Sequence, residues 1–154
     1  MIKKLTFVCT GNTCRSPMAL GLFRKMLSDE NITGLEADSA ALSGSFGDAA
    51  SENAVKAMDE IGIDISSHRS KPLTHDMLCE SDLIICLANS HYDFLKQFAD
   101  ESKLRVLGKG ISDPYGGDLS VYEKTRDEIK ESLNDVLSEV KKENEYGNKN
   151  NSDE

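Results

Sequence analysis

The sequence has no apolar run long enough to cross a membrane. Its longest apolar runs, such as residues 83–88, fall far short of the roughly 20 residues that a membrane-spanning helix needs. Residues 1–4 lead directly into a strand-like segment and lack the signal-peptide pattern of basic, apolar and small residues. We therefore expect a cytoplasmic protein that does not contact a membrane.

Paired cysteine motifs are also absent. The four cysteines are Cys9, Cys14, Cys79 and Cys86. None stands in a C-x-x-C spacing, and without an export signal a disulfide framework is not expected. The three histidines are His68, His75 and His91, and none has the spacing of metal ligands. The sequence thus predicts free thiols, ordinary polar histidines and no metal site.

Positive charge is scarce. The chain carries 18 Lys and Arg residues against 27 Asp and Glu residues, which gives a net charge of −9. A surface of this sign excludes nucleic acid as a general partner. Any site for an anion must therefore be local, and built from backbone amides and individual Arg or Lys side chains.

What the sequence does contain is a regular alternation of strand and helix patterns. The predicted strands are residues 5–9, 35–41, 83–87 and 103–107. Five helices are predicted: one begins near residue 16, one covers 49–61, one covers 74–79, one begins at 89 and one covers 121–142. This alternation predicts an α/β fold, a parallel four-stranded sheet with helices on both faces in three layers.

The 154 residues suffice for one domain, which we expect to occupy residues 1–142 and to be a monomer. Residues 143–154 are polar and nearly without apolar side chains, so they are predicted to form a disordered tail.

The most informative segment joins the first strand to the first helix. Cys9 is followed six positions later by Arg15, with Gly11 and Asn12 between them. Gly11 and Asn12 are residue types that tolerate left-handed backbone angles, so the loop can turn its amides inward. With the positive end of the helix, those amides form a cradle for a tetrahedral dianion. The predicted phosphate-binding residues are Thr10, Gly11, Asn12, Thr13, Cys14 and Arg15.

Such a cradle also suits nucleophilic chemistry at Cys9. A helix N-terminus and nearby cations favour the thiolate, which is the nucleophilic form of cysteine and can attack phosphorus in line. Arg15 can hold two phosphoryl oxygens with its planar guanidinium, and Ser16 can donate a hydrogen bond to the sulfur. A structural cysteine beside a surface arginine is the alternative, and Gly11, Asn12 and Ser16 between the strand and the helix make it less favoured.

Residues 9–19, Cys-Thr-Gly-Asn-Thr-Cys-Arg-Ser-Pro-Met-Ala, resemble the signature of the low-molecular-weight protein tyrosine phosphatase family. Residues 113–117, Asp-Pro-Tyr-Gly-Gly, resemble the general-acid loop of that family. The resemblance covers nearly the whole chain except the polar tail. It implies the same four-stranded sheet, phosphorylated proteins as substrates, and neither a cofactor nor a metal.

The resemblance also implies roles for single residues. Cys9 would be the nucleophile, Arg15 the phosphate ligand and Asp113 the general acid. Ser16 would stabilise the thiolate, and Asn12 would hold the shape of the loop through hydrogen bonds. An acid is needed because the leaving atom otherwise departs with negative charge, and the same carboxylate can then activate water.

Thr13 bears on which phosphorylated side chain is used. Tyrosine phosphatases usually carry an aliphatic residue there, whereas a threonine resembles the bacterial protein-arginine phosphatase branch. Asp118 could hold a positively charged substrate group, and Tyr115 is a candidate pocket wall. The alternatives are that Thr13 is a neutral substitution and that Asp118 is a solvated turn residue, and both stay open. We favour phosphoarginine over phosphotyrosine as the substrate.

Two other functions compete. A thioredoxin-coupled arsenate reductase shares the loop but needs two relay cysteines, for which Cys79 and Cys86 are the candidates. The first relay cysteine should end the third strand, where Ala88 stands instead. A phosphoryl-carrier protein would not need Arg15 and Asp113, which promote hydrolysis.

Cys14 has two interpretations of its own. A reversible disulfide with Cys9 would protect the nucleophile from irreversible oxidation. The alternative is a packed thiol beneath the loop.

Overall fold

The sheet has four parallel strands. The computed structural model describes residues 1–44 and 46–152, with side chains as far as residue 145. The strands are β1 (Lys4–Cys9), β2 (Glu36–Ala41), β3 (Leu83–Cys86) and β4 (Leu104–Val106). They lie in the order β2-β1-β3-β4, and every neighbouring pair is parallel. The predicted four-stranded parallel sheet is confirmed.

Helices cover both faces of this sheet. They are α1 (Arg15–Asp29), α2 (Glu52–Asp59), α3 (His75–Glu80), α4 (Asn89–Leu95) and α5 (Leu119–Ser152). Side chains of β1 alternate between two apolar cores: Leu5 and Phe7 join a large core with α1, α2 and α5, and Val8 joins a smaller one that includes Leu95 of α4. This alternation is why a strand buried on both faces is nearly continuous in apolar residues.

Element ends differ slightly from those predicted. α2 begins at Glu52 instead of residue 49, because Ala49 forms an isolated bridge with Arg69. β4 begins at Leu104, since Lys103 closes a short 3-10 turn. No helix among the described residues is long and apolar enough to cross a membrane.

The largest difference lies at the end of the chain. Instead of ending near residue 142, α5 continues to Ser152, so residues 143–152 of the predicted disordered tail are helical; residues 153–154 lie outside the described part. This continuation is not expected from composition, because residues 143–152 include four Asn, one Gly and one Ser, which are weak helix formers. Asn144 also contacts the fold, because its Oδ1 accepts a hydrogen bond from the Ile2 amide at 2.9 Å.

The topology brings four loops to one edge of the sheet. Ligands of open parallel sheets bind where the carboxyl ends of the strands meet. The loop after β1, residues 10–14, lies at this edge together with the long loop between β4 and α5, residues 107–118. The two segments that carry the predicted chemistry are thereby brought to the same place.

Phe23 provides a test of the large core. It is fully buried on α1 and meets Phe7 edge to face, with ring centroids 5.6 Å apart. We expect Phe23→Ala to lower the free energy of unfolding by about 3–5 kcal/mol, because it leaves a cavity as well as losing apolar contact. Phe98 also lies in an aromatic pair, with Phe94, but is 60% exposed. Phe98→Ala should cost less than about 1 kcal/mol in the same urea titration, and equal losses would contradict this account of the core.

Candidate active site

The loop after β1 is shaped around Asn12. This residue is fully buried and has a left-handed backbone, with φ of 56°. Its Nδ2 donates to Ser16 Oγ at 2.7 Å and to Ser39 Oγ at 2.9 Å, and its Oδ1 accepts from the Lys71 amide at 3.2 Å. Its own carbonyl accepts from His68 Nε2 at 2.7 Å. All these contacts reach outside residues 10–14, so they fix the loop to its surroundings.

The sulfur of Cys9 lies inside this loop. Cys9 is buried, and its Sγ accepts a hydrogen bond from the Asn12 amide at 3.2 Å. Ser16 Oγ is 2.8 Å from the same sulfur. Because Ser16 Oγ already accepts from the Asn12 side chain, its hydroxyl hydrogen is left to donate to the sulfur. Two donors therefore converge on Cys9, which stabilises a negative charge there.

Arg15, the first residue of α1, supplies the positive charge. It is 6% exposed, and its Nη1 donates to the Ile111 carbonyl at 2.9 Å. Its Nη2 lies 3.6 Å from Asp113 Oδ2. These contacts connect the loop after β1 to the loop before α5.

A cavity of about 250 Å³ opens between the two loops. It is lined by Cys9, Thr10, Gly11, Thr13, Cys14, Arg15, Asp113 and Tyr115. Asn12 and Ser16 do not line it and act from behind the loop. The cavity joins a sulfur, a guanidinium and a carboxylate, which are the three groups that a cysteine-based phosphoryl transfer requires.

The two aspartates of the loop before α5, Asp113 and Asp118, make different hydrogen bonds. Asp113 is exposed, and its Oδ1 accepts from the Tyr115 amide at 3.1 Å, while the Tyr115 side chain is 82% exposed. Asp118 caps α5 instead, since its Oδ1 accepts from Ser120 Oγ at 2.7 Å and from the Val121 amide at 3.2 Å. These hydrogen bonds lower the pKa of Asp118. The cap explains why Asp118 stands at this position, apart from any role toward a substrate.

Cys14 packs behind the loop. Its Sγ lies 3.3 Å from Tyr122 Oη and donates to Ser51 Oγ at 3.5 Å. Burial, with the contact to Cys14, raises the pKa of Tyr122 to about 12, so the phenol keeps its proton. Cys14 is a free thiol here, as is Cys9. The geometry agrees with a packed thiol, and the protective disulfide stays a prediction.

The candidate relay cysteines lie away from this cavity. Cys86, not Ala88, is the last residue of β3, so strand position alone does not exclude it as a relay cysteine. Its side chain is fully buried in the smaller core, on the face of the sheet opposite Cys9. Burial raises the pKa of Cys86 to about 12. Cys79 is exposed on α3, where its Sγ lies 3.4 Å from His75 Nε2. Neither contacts the Cys9 loop.

Sequence reasoning missed His91, which was predicted to be an ordinary polar residue. It is 4% exposed, and its Nε2 lies 2.9 Å from Thr10 Oγ1 while its Nδ1 accepts from the Ala88 amide at 3.1 Å. Ala88 is the N-cap residue of α4, and the helix begins at Asn89 as predicted. The only available signal was position, since His91 follows the carboxyl end of a strand. Among the described residues no cluster of His, Cys, Asp and Glu is arranged to hold a metal ion.

The sequence is similar to proteins of known function. It matches the family described as Low molecular weight phosphotyrosine protein phosphatase over residues 4–146. It is 33% identical to a protein-arginine-phosphatase of Bacillus subtilis, over 90% of this chain and 97% of the relative. It is 36% identical to the low molecular weight protein-tyrosine-phosphatase Ptp of Acinetobacter johnsonii, over 80% and 87%. It is also 34% identical to arsenate reductase 1 of Staphylococcus epidermidis, over 85% and 92%.

Solved structures agree. A cysteine-to-serine variant of the arginine phosphatase YwlE, with a phosphorylated active site serine, superposes with a TM-score of 0.83. The two sequences are 34% identical, and the match covers 90% of this chain and 96% of that one. The family match, these relatives and the shared architecture lead to one conclusion. The chain belongs to the low molecular weight phosphotyrosine protein phosphatase family and is a cysteine-dependent protein phosphatase.

Proposed function

We propose that this protein removes phosphate from phosphoarginine in proteins, with Cys9 as the nucleophile. The observation that carries the proposal is the convergence of the Ser16 hydroxyl and the Asn12 amide on the Cys9 sulfur, in a cavity closed by Arg15. Loop amides and the guanidinium then hold the phosphoryl oxygens, and their positive charge stabilises the transition state.

The reaction follows in two steps. In the first, the Cys9 thiolate forms a sulfur–phosphorus bond as the phosphorus–nitrogen bond of phosphoarginine breaks, and Asp113 gives its proton to the leaving nitrogen. In the second, the Asp113 carboxylate takes a proton from water, whose oxygen attacks phosphorus. The sulfur–phosphorus bond breaks, and Cys9 leaves as a thiolate beside Ser16. A relative of this family holds phosphate on a serine that replaces its cysteine, which supports a covalent intermediate.

Two features favour a guanidinium over a phenol next to the phosphoryl group. Thr13 lines the cavity and offers a polar surface, and the single aromatic lining residue, Tyr115, is 82% exposed. Asp118 adds a negative charge at the end of the loop that also carries Asp113. Arginine phosphatases among the relatives support this choice, although a tyrosine phosphatase is about equally similar.

Arsenate reduction is the second candidate, because arsenate reductases are among the relatives. A thioredoxin-coupled reductase passes a disulfide from its nucleophile to two further cysteines. Cys86 is buried on the opposite face of the sheet, and Cys79 lies on a separate helix. Neither of these two cysteines lies beside Cys9, and we favour the phosphatase.

The nucleophile is tested by Cys9→Ser. We expect this variant to lose at least about 10³-fold in kcat on p-nitrophenyl phosphate, since a serine hydroxyl is not ionised at neutral pH. Wild type should release many equivalents of p-nitrophenol, whereas a phosphoryl carrier would stop at one. Cys79→Ser, at the exposed cysteine, is the control and should keep the parental rate. Turnover by Cys9→Ser at that rate would refute the proposal.

Specificity is tested by Thr13→Ile. An aliphatic side chain removes the polar surface beside the leaving group, so the ratio of kcat/KM for phosphoarginine and phosphotyrosine peptides should shift toward phosphotyrosine by about tenfold. Thr33→Ile makes the same change at an exposed position outside the cavity and should leave the ratio unaltered. An equal ratio in wild type and Thr13→Ile would remove Thr13 as a determinant.

Asp118→Asn tests the negative charge of Asp118 while keeping a helix cap at the start of α5. Asparagine caps helices as well as aspartate does, so α5 should keep its stability. Because the carboxylate of Asp118 has a lowered pKa, the substitution removes a full negative charge at pH 7. We expect kcat/KM for phosphoarginine peptides to fall about threefold at low salt, less at high salt, with phosphotyrosine unaffected. Asp135→Asn, on the exposed face of α5, is the control; a similar loss for both substrates would argue against a role of this charge in specificity.

A further inference from the structure

His91 connects the start of α4 to the phosphate-binding loop. Its ring is 4% exposed, and both ring nitrogens have partners on different elements. Nδ1 lies 3.1 Å from the Ala88 amide nitrogen, at the start of its own helix. Nε2 lies 2.9 Å from Thr10 Oγ1, on the residue that follows Cys9. No other described side chain makes a hydrogen bond to the Thr10 hydroxyl.

These partners determine which nitrogen carries the proton. An amide nitrogen can only donate, so Nδ1 must be the acceptor and carries no hydrogen. The hydrogen of the neutral ring is therefore on Nε2, which donates to Thr10 Oγ1. Because Thr10 Oγ1 accepts from the ring, its own hydrogen is available to another acceptor. Thr10 lines the cavity with Cys9 and Arg15, so a phosphoryl oxygen there is a suitable one.

We propose that His91 is a positioning residue for the phosphatase reaction, which orients the Thr10 hydroxyl so that it donates to a phosphoryl oxygen held in the loop. This inference rests on the function proposed for Cys9. His91 itself does not touch the substrate. It acts through Thr10, and small displacements of a group that binds the transition state are costly to the rate.

The ring must stay neutral for this arrangement. Burial, together with the nearby Arg15 and against the opposing effect of Asp113, lowers the pKa of His91 to about 4. Protonation would place a hydrogen on Nδ1 against the Ala88 amide hydrogen, so the present hydrogen bonds hold only for the neutral ring. A base with a depressed pKa in the folded state contributes stability above its ordinary pKa of 6.5, and this contribution is lost as the pH falls toward 4.

Two substitutions of His91 each keep one of the two hydrogen bonds of the ring and remove the other. The Oδ1 of asparagine occupies the place of Nδ1, so His91→Asn keeps an acceptor for Ala88 but cannot reach Thr10. The longer glutamine places an amide near Nε2, so His91→Gln keeps a donor for Thr10 but loses the contact with Ala88. Thr10→Val removes the hydroxyl from the other side.

We expect His91→Asn to lower kcat/KM for phosphoarginine peptides about tenfold at a temperature where the variant is fully folded. His91→Gln should stay within about threefold of wild type even if its Tm falls. Adding Thr10→Val to His91→Asn should cost no more than Thr10→Val alone, because both changes break the same contact. Wild-type kcat/KM in His91→Asn, equal losses in the Asn and Gln variants, or independent effects of His91→Asn and Thr10→Val would each overturn the inference.

Binding of inorganic phosphate, measured by calorimetry, keeps this test separate from the proposed function. The Kd for phosphate should rise severalfold in His91→Asn but not in His91→Gln, whether or not the protein turns over phosphoarginine. Absent turnover in wild type would refute the proposed function alone. An unchanged phosphate Kd in His91→Asn would refute the role of His91 alone.

Discussion

The side chain of Asn12 makes the hydrogen bonds on which the shape of the loop after β1 depends. Asparagine is one of the few residue types other than glycine that tolerates a left-handed backbone, which Asn12 adopts. Here the amide group is satisfied by Ser16, Ser39 and the Lys71 backbone. The same contact to Ser16 directs the serine hydroxyl to the sulfur of Cys9, so loop shape and thiolate stabilisation have one origin.

Residues from several separate parts of the fold hold Asn12 and Arg15 in place. Ser39 belongs to β2, Lys71 to the segment before α3, and Ile111 holds Arg15 from the loop after β4. An anion site can exist on a chain of net charge −9 because it uses local donors and one buried guanidinium instead of the overall field. The acidic surface then opposes non-specific anions, while the loop provides a favourable site for a single phosphoryl group.

Much of this could be predicted from the sequence. The alternation of strand and helix patterns predicted a parallel sheet, and a cysteine and an arginine six positions apart predicted the loop, because both depend on local pattern. Contacts that depend on tertiary packing could not be predicted. His91 looked like any polar helical residue, and its role depends on the distance to Thr10, 81 positions away in the chain. The helical continuation of α5 was missed because residues 143–152 are rich in Asn, a weak helix former, and lack apolar residues.

The distribution of the four thiols has a practical consequence. Cys9 and Cys14 are enclosed by the loop and its neighbours, Cys86 is sealed within β3, and Cys79 alone is exposed on α3. With phosphate or vanadate occupying the loop, a maleimide fluorophore should attach to Cys79 without any engineered residue. The native chain thus has a labelling site at Cys79, which does not line the cavity that holds Cys9.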